Sequence, residues 1–187
     1  MNAAARNRAV FLDRDGVLIR SHVRDGKPYA IADGDTPEIL DGVAQACADL
    51  AADGFKLVLV TNQPDVARGK TSREFVETTN HYLKNTLKLD LVSACLHDDK
   101  DDCACRKPKP GLITEAAQRL ELDTTQSVMV GDRWKDIDSG RQAGCWTVFI
   151  DCGYNEKTAL NPDFRCTSLA QAVPWIRSIV LPRKAQQ

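Results

Sequence analysis

The sequence predicts an α/β protein: a central parallel sheet with helices on both faces, in a single domain spanning residues 1–187. Three observations carry this. Short apolar runs of buried-strand type alternate with amphipathic helical patterns along nearly the whole chain. Those runs end in polar residues, as strands of open α/β sheets do at the edge where ligands bind. At 187 residues with 43% hydrophobic and 27% charged content, the chain can bury a core without staples and is not disordered.

Val10–Leu12 reads as the first strand and runs into Asp13-Arg14-Asp15-Gly16. Arg20–Asp35, polar with Gly26, Pro28 and Gly34, reads as a long loop or short β-flap. Thr36-Pro37-Glu38 has the hydroxyl, proline and acid of a helix start, with Ile39, Leu40, Val43, Ala46, Cys47 and Leu50 at helical spacing and Gly54 as the stop. Phe55–Val60 is the second strand, ending at Thr61-Asn62-Gln63. After the loop Pro64–Lys70, Thr71 or Ser72 caps a helix reaching about Leu87, and Leu91–Leu96 is the third strand. His97–Pro110 is loop, Gly111–Leu122 a helix, Ser127–Val130 the fourth strand, Lys135–Ala143 a helix and Trp146–Ile150 the fifth strand. The tail from Ser168 is helical, with Pro174 expected to kink or split it.

A net charge of -1 argues against broad binding to nucleic acid or anionic membrane, and no apolar run approaches spanning length. The polar stretch Met1–Arg8 lacks the apolar core of a signal peptide, so a cytoplasmic monomer is expected. Seven cysteines, an odd number, argue against a disulfide framework; Cys47, Cys145, Cys152 and Cys166 are expected to pack as small hydrophobes.

In a parallel sheet the strand ends bring Asp13 and Asp15, Thr61 and Asn62, and Asp132 with Asp136 to one edge. In extended chain Asp13 and Asp15 share a side, where two carboxylates repel unless a cation intervenes or one is protonated. Converging carboxylates with few nitrogen or sulfur ligands select a hard cation such as Mg²⁺. Arg106, Lys107 and Lys109 add cationic partners for an anion. A hard metal beside a lysine, a hydroxyl and an unblocked carboxylate is equipment for phosphoryl transfer.

These residues stand in four ordered motifs: Asp13-Arg14-Asp15-Gly16-Val17, Val60-Thr61-Asn62-Gln63, Arg106-Lys107-Pro108-Lys109-Pro110-Gly111, and Val130-Gly131-Asp132 with Asp136. In this order they resemble the haloacid dehalogenase (HAD) superfamily of phosphohydrolases, over about Val10 to Ile150. The resemblance implies a Rossmann-like fold. It also implies that Asp13 forms an aspartyl-phosphate, that Asp15 is general acid and then base, and that Thr61, with Asn62 and Gln63 beside it, meets the phosphoryl group. Lys107 then balances charge, and Mg²⁺ is held by Asp13, Asp132 and the Asp15 carbonyl. Asp136 orients Lys107 or a metal-bound water. Arg14 lies between the aspartates, and strand alternation sends it to the opposite face without chemistry; Lys109 is expected at the surface.

Cys95-x-His97, five further residues, then Cys103-x-Cys105 offer three thiolates and an imidazole within eleven residues. That set suits a closed, structural Zn²⁺ site in a loop of about residues 95–105. Arg106 and Lys107 follow the last ligand, so zinc would stiffen the loop that aims them. A zinc loop before Arg-Lys-Pro resembles the HAD subfamily of D-glycero-D-manno-heptose bisphosphate and histidinol-phosphate phosphatases, which have no large cap domain. By that resemblance the substrate is a small phosphate ester met by the flap Ile19–Tyr29 (Ser21 and His22 within it), the loop Gln63–Lys70 (Arg68) and Arg106. Ala67-Arg68-Gly69 and Lys109-Pro110-Gly111 favour the heptose branch, and the five-residue spacer after His97 the histidinol branch. Ile19, Pro64-Asp65 and Arg133-Trp134 depart from the usual residues near the expected pocket.

Overall fold

A computed structural model describes residues 7–180. Met1–Arg6, most of the stretch read as lacking a signal peptide, lies outside the described residues. Six parallel strands form one sheet in the order β5-β4-β1-β6-β7-β8: β1 Ala9–Leu12, β4 Lys56–Asn62, β5 Leu91–Cys95, β6 Val128–Gly131, β7 Trp146–Ile150 and β8 Phe164–Cys166. The short antiparallel hairpin of β2 His22–Arg24 and β3 Lys27–Tyr29 stands apart from it, as the flap expected between Arg20 and Asp35.

The two-residue repeat of the strands sorts side chains to the two faces. Val10, Leu12, Leu57, Leu59, Val128 and Val130 pack in one core with helices α1 (Val43–Ala52), α2 (Arg73–Leu87) and α5 (Leu169–Val180). Ala9, Phe11, Val58, Val60 and Met129 pack in the other with helix α3 (Gly111–Arg119). Helix α4 (Trp134–Gln142) lies on this second face, with Ile137 against Phe149 of β7.

Four expectations are corrected. Thr36–Glu38 does not open a helix. The backbone there hydrogen-bonds along the chain after β1, with Arg20 N donating to Glu38 O and Leu40 N to Leu18 O. Ile39 bridges Ile19, and α1 begins only after Gly42, whose φ of 77° suits glycine. The pairing partner, invisible to local propensity, overrides the capping residues. Helix α5 is not split at Pro174, and the flanking Leu169, Ala172, Val173 and Ile176 anchor it to the core. Strand β8, not expected at all, is a three-residue edge strand with a mixed burial pattern. Finally, Cys152 is exposed, while Cys47, Cys145 and Cys166 are buried as expected.

Candidate active site

The ends of β1, β4 and β6 and the segment before α3 open onto a cavity of about 270 Å³ lined by Asp13, Asp15, Thr61, Asn62, Lys107, Asp132 and Asp136. Asp13 follows β1 directly and is held in line with β6 by its N–H donating to Val130 O at 3.0 Å. Lys107 is 2% exposed, and its ammonium spends three donors: on Asp13 Oδ1 (2.7 Å), Asp136 Oδ1 (2.6 Å) and Val60 O (2.8 Å). Burial alone would depress this lysine, but the Asp13 and Asp136 carboxylates outweigh it and hold its pKa above the ordinary lysine value. Asp13 moves up to about 6. Burial is the main cause, Lys107 opposes it, and the Asp136 and Asp15 charges reinforce it.

Asp136 uses its other oxygen to accept from Arg133 N (3.0 Å), a link that ties the α4 start to Lys107. Asn62 grips the Lys107 backbone from both sides: its amide nitrogen donates to Lys107 O (3.0 Å) and its oxygen accepts from Lys107 N (3.1 Å). Thr61 Oγ1 accepts from Gln63 Nε2 (2.9 Å), which leaves the hydroxyl proton for the cavity that Thr61 lines.

Asp132 is 2% exposed, and neither of its carboxylate oxygens has a hydrogen-bond partner. Burial, then the charges of Asp13 and Asp136, push its pKa well above the ordinary carboxylate value, against the pull of the nearby Tyr154 hydroxyl and of Lys107. Oxygens of Asp13, Asp132 and Asp136 lie within 4.8 Å of one another. Three buried carboxylates, one of them unpartnered, form a donor set that fits a hard divalent cation. Gly16 (φ 88°) permits the packing: a Cβ there would lie 2.0 Å from Asp132 Oδ2.

The second donor set joins β5 to the loop before α3. Sulfur atoms of Cys95, Cys103 and Cys105 lie 3.2–3.6 Å apart, and His97 Nδ1 is 3.6 Å from Cys95 Sγ and 3.3 Å from Cys105 Sγ. Zn–S bonds of about 2.3 Å in a tetrahedron imply sulfur separations of about 3.8 Å, so the four groups fit zinc with slight expansion. They are too far apart for a disulfide, in which sulfurs sit at about 2.05 Å. Arg106, next in the chain, donates to Asp99 Oδ1 (2.8 Å) and to His97 O (3.3 Å).

The remaining expected residues divide. Arg68 lines the cavity and pairs with Asp98, Asp65 and Asp99. Gln63 is wholly buried, with its amide nitrogen on Asp15 and Thr61. Ser21, His22 and Arg106 are not among the lining residues: Ser21 bonds the Tyr154 hydroxyl (2.8 Å) and His22 bonds Asp35 (2.9 Å). The flap contributes Lys27, Pro28, Tyr29 and Ala30 instead. Lys70, at the end of the loop expected to meet the substrate, lines the cavity; Lys135 and Glu156 also line it and were missed, and Glu156 receives a two-pronged bond from Arg133. No motif marks them, since each comes from a loop or helix start whose direction only the fold sets. Lys109 is surface, bonded to Asp102. Arg14 goes to the α2 side, against Asn80, as alternation has it, but it is fully buried and its guanidinium also reaches Asp15.

The haloacid dehalogenase-like hydrolase family matches residues 20–144, a span that includes Thr61, Lys107 and Asp132. The chain belongs to this family. The D-glycero-beta-D-manno-heptose-1,7-bisphosphate 7-phosphatase of Haemophilus influenzae is 39% identical over 145 residues, 72% of this chain and 76% of the relative. The D-glycero-D-manno-heptose-1,7-bisphosphate 7-phosphatase of Thermosynechococcus vestitus is 34% identical over 198 residues, 94% of this chain and 98% of the relative. Among solved structures, the D,D-heptose 1,7-bisphosphate phosphatase of B. bronchiseptica, in complex with magnesium and phosphate, superposes with a TM-score of 0.72 at 27% identity. That match covers 91% of this chain and 98% of the other. The family hydrolase is thus a phosphatase by its relatives, with the parallel sheet and the small flap in place of a large cap.

Proposed function

We propose that this chain is a Mg²⁺-dependent phosphatase that releases the 7-phosphate of a D-glycero-D-manno-heptose 1,7-bisphosphate through a phosphorylated Asp13. The observation that carries the chemistry is the convergence of Asp13, Lys107, Asp136 and the unpartnered Asp132 on one cavity. The substrate rests on the relatives: those above act, by name, on heptose bisphosphate.

Asp13 would attack phosphorus while Thr61 donates its hydroxyl proton to a phosphoryl oxygen. The P–O bond to the sugar breaks as Asp15 gives the leaving oxygen its proton, and Asp15 then takes a proton from the water that cleaves the aspartyl-phosphate. Lys107 holds Asp13 in aim and sets a fixed positive charge beside it. Because all three of its donors are engaged, its part is a point charge unless one bond is exchanged. Asp13, Asp132 and the Asp15 carbonyl would hold Mg²⁺, which supplies neutralisation of the transferring group. Asp136 would orient Lys107. Cys95, His97, Cys103 and Cys105 would hold Zn²⁺ and keep Arg106 and Lys107 in place. Arg68 stands at the cavity as a partner for substrate oxygens.

The side chains of the scheme gather at one edge of a single sheet, from strand ends, loops and the start of α4, which supports a single-domain enzyme. Seven free cysteines support a reducing compartment such as the cytoplasm, and no helix among the described residues is long and apolar enough to cross a membrane. The test is kcat/KM with Mg²⁺ on a panel of heptose bisphosphate anomers, hexose phosphates and histidinol phosphate. The heptose bisphosphate should lead by at least tenfold. A lead for histidinol phosphate would reassign the substrate, and no turnover of any ester would end the phosphatase reading.

A further inference from the structure

Arg14 is among the largest wholly buried side chains of the described residues, and it carries a full positive charge. Taking a guanidinium out of water costs several kcal/mol unless its donors are met by good acceptors. Here they are met by few. Nε donates to Asp15 Oδ2 at 3.0 Å, one terminal nitrogen donates to Asp15 Oδ1 at 3.3 Å, and the other donates to Asn80 Oδ1 at 3.3 Å. Asn80 is itself buried, on the core-facing stripe of α2 with Val76, Leu83 and Leu87. Beside Thr79 and three apolar residues, the buried side of this helix thus presents one amide to the guanidinium. A fourth contact completes the cluster: Gln63 Nε2 donates to Asp15 Oδ2 at 2.8 Å.

Asp15 Oδ2 therefore has two donors, Arg14 and Gln63, and Oδ1 has only the long contact to Arg14. The fork of Arg14 fixes the carboxylate plane, which a freely rotating aspartate does not do. The carboxylate is left with Oδ1 as its less committed oxygen, on a residue that lines the cavity.

We propose that Arg14 is a positioning residue that, braced by Asn80, holds the Asp15 carboxyl group so that Oδ1 exchanges the proton with the leaving oxygen. The inference rests on Asp15 acting as the general acid under the proposed function. It assigns to Arg14 a part in proton transfer, not in phosphate binding, because the guanidinium has no exposed surface to offer a ligand.

The leaving group separates this from a merely structural role. p-Nitrophenolate departs without a proton, whereas the alkoxide of an alkyl phosphate needs one in the transition state. The measurement is kcat/KM for p-nitrophenyl phosphate and for glycerol 3-phosphate, in wild type, Arg14→Lys, Asn80→Ala and Asp15→Asn, with Mg²⁺ saturating. Lysine keeps the charge and loses the fork. Arg14→Lys should lower the alkyl-to-aryl ratio by about tenfold, a fraction of the 10²–10⁴-fold that general acid catalysis supplies. Asn80→Ala should lower it by about threefold, and it keeps the test open if Arg14→Lys does not fold. If both substrates slow in proportion, or if the ratio stands still in every folded Arg14 and Asn80 variant, Arg14 positions nothing. An Asp15→Asn enzyme with an unchanged ratio would instead remove Asp15 as the acid, and this assignment with it.

Discussion

Asp132→Asn is predicted to make the magnesium-free protein more stable while abolishing its response to Mg²⁺. The native carboxylate is buried, both its oxygens lack partners, and it lies beside Asp13 and Asp136. Its pKa is raised in the folded state, first by burial and then by those two charges. A carboxyl group whose pKa is raised in the folded state costs stability as the pH climbs from the ordinary carboxylate range toward the folded value, so the charge on Asp132 opposes folding of the magnesium-free protein. Asparagine keeps the shape and removes the charge. The gain is on the order of 1–3 kcal/mol, because a buried ion costs several kcal/mol and the amide that replaces it can donate to a neighbouring carboxylate. For a chain of this size that is a rise in Tm of roughly 2–12 °C. Wild-type protein at a hundred times the Mg²⁺ dissociation constant should gain about 2.7 kcal/mol, or about 5–11 °C. The assay is thermal unfolding of zinc-loaded protein with and without Mg²⁺. A variant that melts below wild type in the absence of Mg²⁺, or that keeps the wild-type shift, refutes the reasoning.

Asp13 must be ionised to attack, and its pKa is raised to about 6, chiefly by burial. At sub-saturating Mg²⁺, kcat/KM should therefore drop about tenfold per pH unit below that value, and Asp136→Asn should move the midpoint down by removing a neighbouring charge. A wild-type midpoint near the ordinary 3.8 would count against the buried geometry. Zinc removal, or Cys103→Ser, should cut turnover at least about tenfold and open the Arg106–Lys107 bond to trypsin, because metal binding and loop order are one equilibrium; full activity in zinc-free protein argues against a structural site. Asn62→Ala strips both hydrogen bonds from the Lys107 backbone. It should lower kcat roughly 5–160-fold, as expected for 1–3 kcal/mol, with KM within about twofold; a change confined to KM would make Asn62 a substrate ligand instead.

The strand ends were legible because a buried strand and a polar stop leave a strong local pattern, and Asp13, Thr61 and Asp132 do converge on one cavity. The gathering of Cys95, His97, Cys103 and Cys105 into one cluster was legible through spacing alone. What local pattern could not show was pairing at a distance. The residues Thr36-Pro37-Glu38 carry every mark of a helix start, yet they pair with the chain after β1. Alternation did send Arg14 toward α2, but its contact with Asp15 was not foreseen, because past Leu12 the backbone leaves the strand and turns back, with Leu18 N and Ile19 N both donating to Arg14 O. The polar Asn80, at helical spacing among Val76, Leu83 and Leu87, was a visible signal that something charged lay opposite. Gln63 was read toward substrate, whereas its amide nitrogen bridges Asp15 and Thr61 from within the core.

The covalent step can be caught directly. Enzyme quenched in acid during turnover of its phosphate ester, then reduced with borohydride, converts an acyl phosphate to the alcohol. Peptide mapping should find homoserine at position 13 in substrate-treated protein and aspartate there in untreated protein. Homoserine at position 15, or none anywhere while product accumulates, would contradict phosphoryl transfer to Asp13.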